Sequence, residues 1–144
     1  MKTYADTSFL VRIYLTQSDS PRALAFMRDF RGPLPFTPLH RHELRNAIRL
    51  TVFRQEIDAA RRQAAFEDIE SDLADGILAH VAIPWTNAFR GSEQLGAAHT
   101  EDMGVRGIDL LHTGIALALG TKEFLTFDAR QAGLAKAAGL KVKP

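Results

Sequence analysis

The sequence predicts an α/β fold of three layers, in which helices cover both faces of a central, mainly parallel sheet. The main observation is that short β-rich runs alternate with helical patterns along the whole chain. Strands that are separated by helices pair in parallel through right-handed crossovers. The second observation is that 144 residues run without an internal repeat or a linker-like segment rich in Pro, Gly and Ser. We therefore predict one domain that spans residues 1–144.

The first half of the chain predicts two strands and four helices. Hydroxyl and carboxylate side chains cap the helix starts, Pro follows a cap, and Gly ends a helix. These patterns predict strands at Thr3–Ala5 and Leu34–Thr37, a helix that starts at Phe9 behind the capping residues Asp6, Thr7 and Ser8, a helix from its N-cap Ser20 to about Phe30, and helices from Pro38 to about Gln55 and from Ile57 to about Asp75. The last two helices are expected to form a hairpin.

The second half continues the alternation with three helices and three strands. The predicted elements are a strand at Ile77–Ile83, a helix at Trp85–Thr100, a helix at Leu110–Leu119 opened by Asp109, a strand at Glu123–Phe127, a helix at Ala129–Ala138 behind Asp128, and a last strand at Leu140–Val142. In such sheets, ligands bind beyond the carboxyl ends of the strands. Residues that directly follow a strand are therefore the first candidates for a functional site.

The composition excludes several classes of protein. The chain has no Cys, so a metal site must use oxygen or imidazole ligands. Asp6 lies where a signal peptide needs its apolar run, and no stretch of about 18 apolar residues occurs, so we expect a cytoplasmic protein without a membrane span. Thirteen of the 18 basic residues are Arg. This favours a phosphate-bearing partner, although a GC-rich genome produces the same bias.

Two carboxylates follow predicted strands. Asp6 comes after the first strand, and Asp128 comes after the strand that ends at Phe127. Because the carboxyl ends of parallel strands meet at one edge of the sheet, the two side chains are expected to be neighbours. Each residue taken singly is more simply explained as a helix N-cap. The pair favours a shared site.

Glu43 is a carboxylate within the predicted apolar stripe of its helix. Leu39, Glu43, Ala47 and Leu50 recur at helical spacing, which places the carboxylate among apolar side chains. The alternatives are a buried salt bridge or a position at the edge of the stripe. On the same helix, His40 and His42 point to different faces, so we predict that both lie on the surface and do not form a metal pair.

Asp109 is predicted to open an apolar helix. The residues that follow it, Leu110 and Leu111 among them, mark this helix as part of the core. His112 lies one turn later and is expected to share the face of Asp109, so a hydrogen bond between them is plausible. A core histidine that bonds to the backbone is the preferred interpretation, and we do not predict a catalytic base there.

Converging carboxylates predict a cation. Without a positive partner they repel one another and become protonated, whereas a bound hard cation removes that penalty. Magnesium, or alternatively manganese, is therefore expected. Carboxylates around such an ion suit the hydrolysis of phosphodiesters. The chain has no Walker loop, no zinc-binding His-Glu-x-x-His helix and no nucleophilic serine elbow.

Four motifs occur in order along the chain: Ala5–Leu10, Glu43–Ala47, Asp109–His112 and Phe124–Asp128. They resemble those of the PIN domain, and in particular of the VapC toxins of bacterial toxin–antitoxin pairs, and the resemblance runs from Lys2 to Val142. It implies an α/β/α fold, a magnesium-dependent endoribonuclease activity, homodimerisation, and inhibition by a cognate antitoxin.

The resemblance also implies roles for individual residues. Asp6, Glu43 and Asp109 match the invariant acidic positions, and Asp128 matches a fourth that is commonly present. Asp6, Asp109 and Asp128 are thus the expected metal ligands. Ser8 and Thr126 match polar positions beside the metal, where we expect substrate contacts. Many relatives carry an acidic residue two places after the fourth Asp, but this chain has Arg130 there.

Two other classes compete with the nuclease hypothesis. A PIN-like RNA-binding or scaffolding module would keep the fold and lose the chemistry, but such a module does not need the full carboxylate set. A receiver-like phosphoacceptor domain usually has adjacent acidic residues after its first strand, whereas Asp6 stands alone. Arg41, Arg45 and Arg49 recur every four positions; we interpret them first as a solvated basic face and second as the border of an RNA path.

Overall fold

Seven helices and five short strands alternate along the chain in the computed structural model, which describes residues 1–144. In order they are β1 (Thr3–Ala5), α1 (Thr7–Tyr14), α2 (Ser20–Asp29), β2 (Leu34–Phe36), α3 (Pro38–Phe53), α4 (Ala59–Ala74), β3 (Leu78–His80), α5 (Trp85–Met103), α6 (Gly107–Ala118), β4 (Glu123–Leu125), α7 (Ala129–Ala137) and β5 (Lys141–Lys143). The predicted order of elements is confirmed, and most boundaries agree within three residues. None of the helices combines the length and the apolar character that a membrane crossing requires.

The strands pair only in parallel, as the sequence predicts. Strands β1, β4 and β5 form one sheet with β4 in the centre, and β2 and β3 form a second pair. The chain also divides into two compact units, one of residues 1–6 with 82–144 and one of residues 7–81. Each unit contains one of the two sheets. The single domain inferred from the sequence stays a prediction.

The unit of residues 1–6 and 82–144 is built on the three-stranded sheet. Tyr4 and Phe124 lie opposite each other in β1 and β4, are fully buried, and have ring centroids 5.5 Å apart. At the start of β4, Glu123 accepts hydrogen bonds from Lys143 Nζ at 2.7 Å and from Thr3 Oγ1 at 3.0 Å. The bond from Lys143 lowers the pKa of Glu123. These contacts join all three strands of the sheet.

The unit of residues 7–81 packs α1 to α4 with the two-stranded sheet. Its buried apolar residues include Phe9, Leu34, Phe36 and Leu78. The predicted hairpin of α3 and α4 is confirmed, because the Arg45 guanidinium of α3 lies 4.2 Å from the centre of the Phe66 ring of α4.

The buried face of α3 differs from the predicted stripe. The buried residues of this helix are His40, Leu44, Ile48 and Thr51, whereas Leu50 is 40% exposed and Glu43 is half-buried. The prediction that His40 lies on the surface was therefore wrong, and His42 alone is exposed. The reason is a capping box that satisfies the imidazole inside the protein.

The capping box at the start of α3 uses Thr37 and His40. Thr37 Oγ1 accepts from the His40 backbone N–H at 3.3 Å, and His40 Nδ1 accepts from the Thr37 backbone N–H at 3.0 Å. A satisfied imidazole is buried at little cost, so the face that begins at His40 turns inward.

Candidate functional site

The carboxyl ends of β1 and β4 place Asp6 beside Thr126. Ala5 pairs with Leu125, and the Asp6 backbone N–H donates to the Leu125 carbonyl at 3.0 Å. Thr126 Oγ1 donates to Asp6 Oδ2 at 2.6 Å and accepts from the Asp128 backbone N–H at 3.0 Å. The predicted neighbourhood of Asp6 and Asp128 at one sheet edge is thereby confirmed. The Thr126 hydroxyl connects the two residues.

Asp128 has a different partner at each of its carboxylate oxygens. Oδ1 accepts from the Gln131 backbone N–H at 3.0 Å, so Asp128 is the N-cap of α7. Oδ2 lies 3.6 Å from an Nη atom of Arg106. Asp128 is therefore both a helix N-cap, through Oδ1, and part of a charged site, through Oδ2.

Asp109 lies in the first turn of α6 but does not open the helix. The helix starts two residues earlier at Gly107, behind the N-cap residue Arg106. The predicted start was therefore wrong, because Gly107 and Ile108 already belong to the first turn, and Asp109 is its third residue, whose carboxylate accepts from the backbone N–H of the N-cap residue Arg106. The Asp109 side chain is 5% exposed, so its charge must be neutralised inside the protein.

Arg106 supplies that neutralisation with its guanidinium fork. Its Nε lies 3.1 Å from Asp109 Oδ2, and an Nη atom lies 3.2 Å from Oδ1. The Arg106 backbone N–H also donates to Oδ2 at 3.1 Å. Sequence reasoning did not single out Arg106, although an Arg three residues before an Asp at a helix start is a pattern that pairs opposite charges.

Gln131 is a second residue that the sequence did not reveal as part of the site. It is 1% exposed, and its side-chain amide donates to the Asp109 carbonyl at 3.0 Å and to Thr113 Oγ1 at 2.8 Å. A Gln three residues after a capping Asp usually indicates a capping box. Here its side chain instead joins α7 to α6, and so fixes the helix starts that carry Asp128 and Asp109.

His112 is a buried core residue, as the preferred interpretation held. It is 3% exposed, and its Nδ1 lies 2.7 Å from the hydroxyl of Tyr4. This partner is a side chain of β1, whereas the preferred interpretation expected a backbone partner. This bond joins α6 to the sheet beneath the acidic residues.

Glu43 and Ser8 belong to the unit of residues 7–81. Glu43 Oε1 accepts from Thr7 Oγ1 at 2.8 Å, and the Ser8 carbonyl accepts from Arg12 at 2.6 Å. Glu43 is at the half-buried edge of α3, which is one of the positions considered for it. Their roles beside a metal or substrate stay predictions.

The carboxylates at the site are chemically suited to bind a hard divalent cation. Asp6, Asp109 and Asp128 offer only carboxylate oxygens, which are the ligands that magnesium prefers. In the present arrangement no three acidic or histidine side chains lie close enough together to hold a metal ion. Two of the three carboxylates instead lie against the guanidinium of Arg106.

No family model matches the sequence, and no curated protein matches it. Solved structures do match. The toxin VapC20 of Mycobacterium tuberculosis, described as cleaving the sarcin-ricin loop, has a TM-score of 0.69 and 14% identity, with 99% of this chain and 100% of that chain covered.

Two further solved structures give similar values. FitAcB from Neisseria gonorrhoeae has a TM-score of 0.69 and 16% identity, over 99% of this chain and 96% of that one. VapBC2 from Rickettsia felis, solved with a DNA fragment from their promoter, has a TM-score of 0.65 and 12% identity, over 99% and 98%. The chain thus has the PIN-type α/β fold that the four motifs imply, over essentially its full length.

Proposed function

We propose that this protein is a magnesium-dependent endoribonuclease and the toxin of a type II toxin–antitoxin pair. The observation that carries the proposal is the continuous acidic site at the carboxyl ends of β1 and β4. Thr126 links Asp6 to Asp128, and Arg106 links Asp128 to Asp109. The similarity of the fold to an RNA-cleaving toxin supports it.

The three aspartates hold the cation in this proposal. When bound, magnesium or manganese would supply a Lewis acid for the scissile phosphate and a site at which water is activated. Thr126 orients Asp6 through its 2.6 Å hydrogen bond, and Gln131 fixes α7 against α6. Thr126 is also proposed to contact the substrate, whereas the catalytic role of Glu43 and the substrate contact of Ser8 stay predictions from the sequence.

An RNA substrate is supported by a basic groove on α3 in the unit of residues 7–81. The groove encloses about 370 Å³ and is lined by Pro38, Arg41, His42, Arg45, Asn46 and Arg49. Glu70 is its acidic neighbour, at 2.8 Å from Arg41 and 3.2 Å from Arg45. Arg49 forms no ion pair, and its guanidinium lies 4.8 Å from the centre of the Phe66 ring.

Positive charge in this groove is only partly compensated. Burial lowers the pKa of Arg45, and repulsion from Arg41 and Arg49 lowers it further, although Glu70 opposes both effects. Guanidinium groups held on an aromatic ring are positioned to bind phosphate oxygens. For the basic face of α3, these contacts favour the second interpretation from the sequence, the border of an RNA path, over a merely solvated surface.

Arg49→Ala is expected to weaken RNA binding without affecting the fold. In an Asp6→Asn background, which prevents cleavage, we expect roughly fivefold lower affinity for single-stranded RNA and a salt slope reduced by about 0.7, the value of one phosphate contact. Filter binding at several salt concentrations measures both. The matched control is Arg90→Ala, which removes an exposed Arg outside the groove. If both variants lost the same RNA affinity, the loss would come from the lower net charge of the protein and not from a contact in the groove.

The partners of the protein follow from the same proposal. We propose a cognate antitoxin that inhibits the nuclease, a homodimer in solution, and a cytoplasmic location. The antitoxin is supported by the toxin–antitoxin neighbours FitAcB and VapBC2.

Incubation of the purified protein with total RNA tests the proposed activity. We expect discrete fragments with magnesium and none with EDTA, and activity should return when magnesium is added in excess. Manganese is expected to replace magnesium. Cleavage that persists in EDTA would refute metal dependence. Tight RNA binding without cleavage under any condition would favour the alternative, a catalytically silent RNA-binding or scaffolding module.

A further inference from the structure

We infer that Arg106 sets the metal affinity of the acidic site, because its guanidinium competes with the cation for the oxygens of Asp109 and Asp128. The inference rests on the proposed function for the identity of the metal ligands. It goes beyond that function by assigning to Arg106 control of how readily the acidic site binds its cation.

The geometry shows that both oxygens of Asp109 face Arg106. The two side-chain contacts are 3.1 and 3.2 Å long, which is the forked arrangement typical of Arg and a carboxylate. The same guanidinium reaches Asp128 Oδ2 at 3.6 Å. A cation that takes oxygens from both aspartates must therefore displace this group.

Displacement is feasible because the two partners differ in burial. The Asp109 side chain is 5% exposed, whereas the Arg106 side chain is 57% exposed. A buried carboxylate needs a positive partner, while an exposed guanidinium loses little when it rotates into water. The backbone N–H of Arg106 remains on Asp109 Oδ2 after rotation, so the start of α6 keeps its cap. Arg106 thus has the properties of an exchangeable counterion.

A purely structural role for Arg106 leads to a different expectation. An Arg and an Asp three residues apart at a helix start stabilise the first turn by a modest amount. In that case Arg106→Ala would lower stability and leave the affinity for the cation unchanged. The two roles are therefore distinguished by a binding measurement.

Manganese titration of the full chain, followed by calorimetry or by the spin resonance of free Mn²⁺, tests the inference. We expect Arg106→Ala to bind Mn²⁺ roughly tenfold more tightly than wild type, which is the order of one charge-assisted hydrogen bond. Arg106→Lys should fall between the two, because it keeps the charge without the fork. Mn²⁺ should also raise the Tm of Arg106→Ala more than that of wild type.

Two further variants connect the effect to this site. Arg90→Ala should bind Mn²⁺ as wild type does, and Asp109→Asn combined with Arg106→Ala should lose the gain in affinity. Unchanged or weaker Mn²⁺ binding by Arg106→Ala would overturn the inference. If that variant does not fold, unchanged binding by the conservative Arg106→Lys variant would overturn it.

Failure of the proposed function gives a different result. If wild type and variants bind Mn²⁺ as expected but cleave no RNA, the inference stands and the nuclease proposal fails. If wild type cleaves RNA with magnesium and Arg106→Ala gains no affinity, only the inference fails.

Discussion

The Asp6→Asn protein is expected to fold normally and to cleave RNA at least ~100-fold more slowly than wild type, because a lost metal ligand removes several kcal/mol of transition-state stabilisation. The fold is expected to persist because the carbonyl oxygen of Asn still accepts the hydrogen bond from Thr126. Replacing a buried carboxylate by an amide also removes a charge that burial disfavours.

Cleavage rates with magnesium and thermal unfolding, measured on the same preparation, check this prediction. Asp102→Asn is the matched control, because it makes the same chemical change at an exposed position of the same unit. The control should keep wild-type activity. A purified Asp6→Asn protein that cleaves at the wild-type rate would remove Asp6 from the proposed centre.

Gly114→Ala is expected to have the largest effect on stability, with a loss of about 3 kcal/mol. Helices α5 and α6 approach so closely that a Cβ on Gly114 would lie 2.6 Å from the Ala88 carbonyl oxygen and would also overlap Ser92 Oγ. The serine is itself fixed by hydrogen bonds to the carbonyls of Ala88 and Leu110. Because one obstacle is backbone, the helices must separate.

Chemical denaturation measures this loss, and thermal unfolding should show a Tm lower by about 10 °C. Gly107→Ala is the control in the same helix, because a Cβ there meets nothing within 4 Å. That variant should remain within about 1 kcal/mol of wild type, since Ala favours a helix more than Gly does. Equal stability of the two variants would contradict the close approach of α5 and α6.

The order of the elements and the edge that carries Asp6 and Asp128 could be predicted from the sequence. Both depend on local patterns: runs of apolar residues, caps, and glycines that end helices. At Gly76 the backbone has a φ of 75°, a conformation that suits glycine, and α4 indeed ends just before it.

The face of α3 and the partner of Asp109 could not be predicted in the same way. Burial of His40 depends on a hydrogen-bonded pair with Thr37, so a polar residue replaced an apolar one on the inner face. The pairing of Arg106 with two carboxylates depends on the contact of α6 with α7, which Gln131 fixes. The burial of His40 and the pairing of Arg106 both depend on hydrogen bonds or ion pairs between polar groups. Hydropathy patterns cannot predict such contacts, because they register only whether a residue is apolar.

The pairing of Ala5 with Leu125 has a consequence for how such proteins diverge. Asp6 and Thr126 each follow one of these paired residues, so their meeting depends on the number of residues in β1 and β4 and on their alignment. A deletion of one residue within either strand would turn the side chains to opposite faces of the sheet. Most core side chains, by contrast, can be exchanged for others of similar volume. Insertions and deletions are therefore expected to be tolerated in the connections and not within β1 and β4.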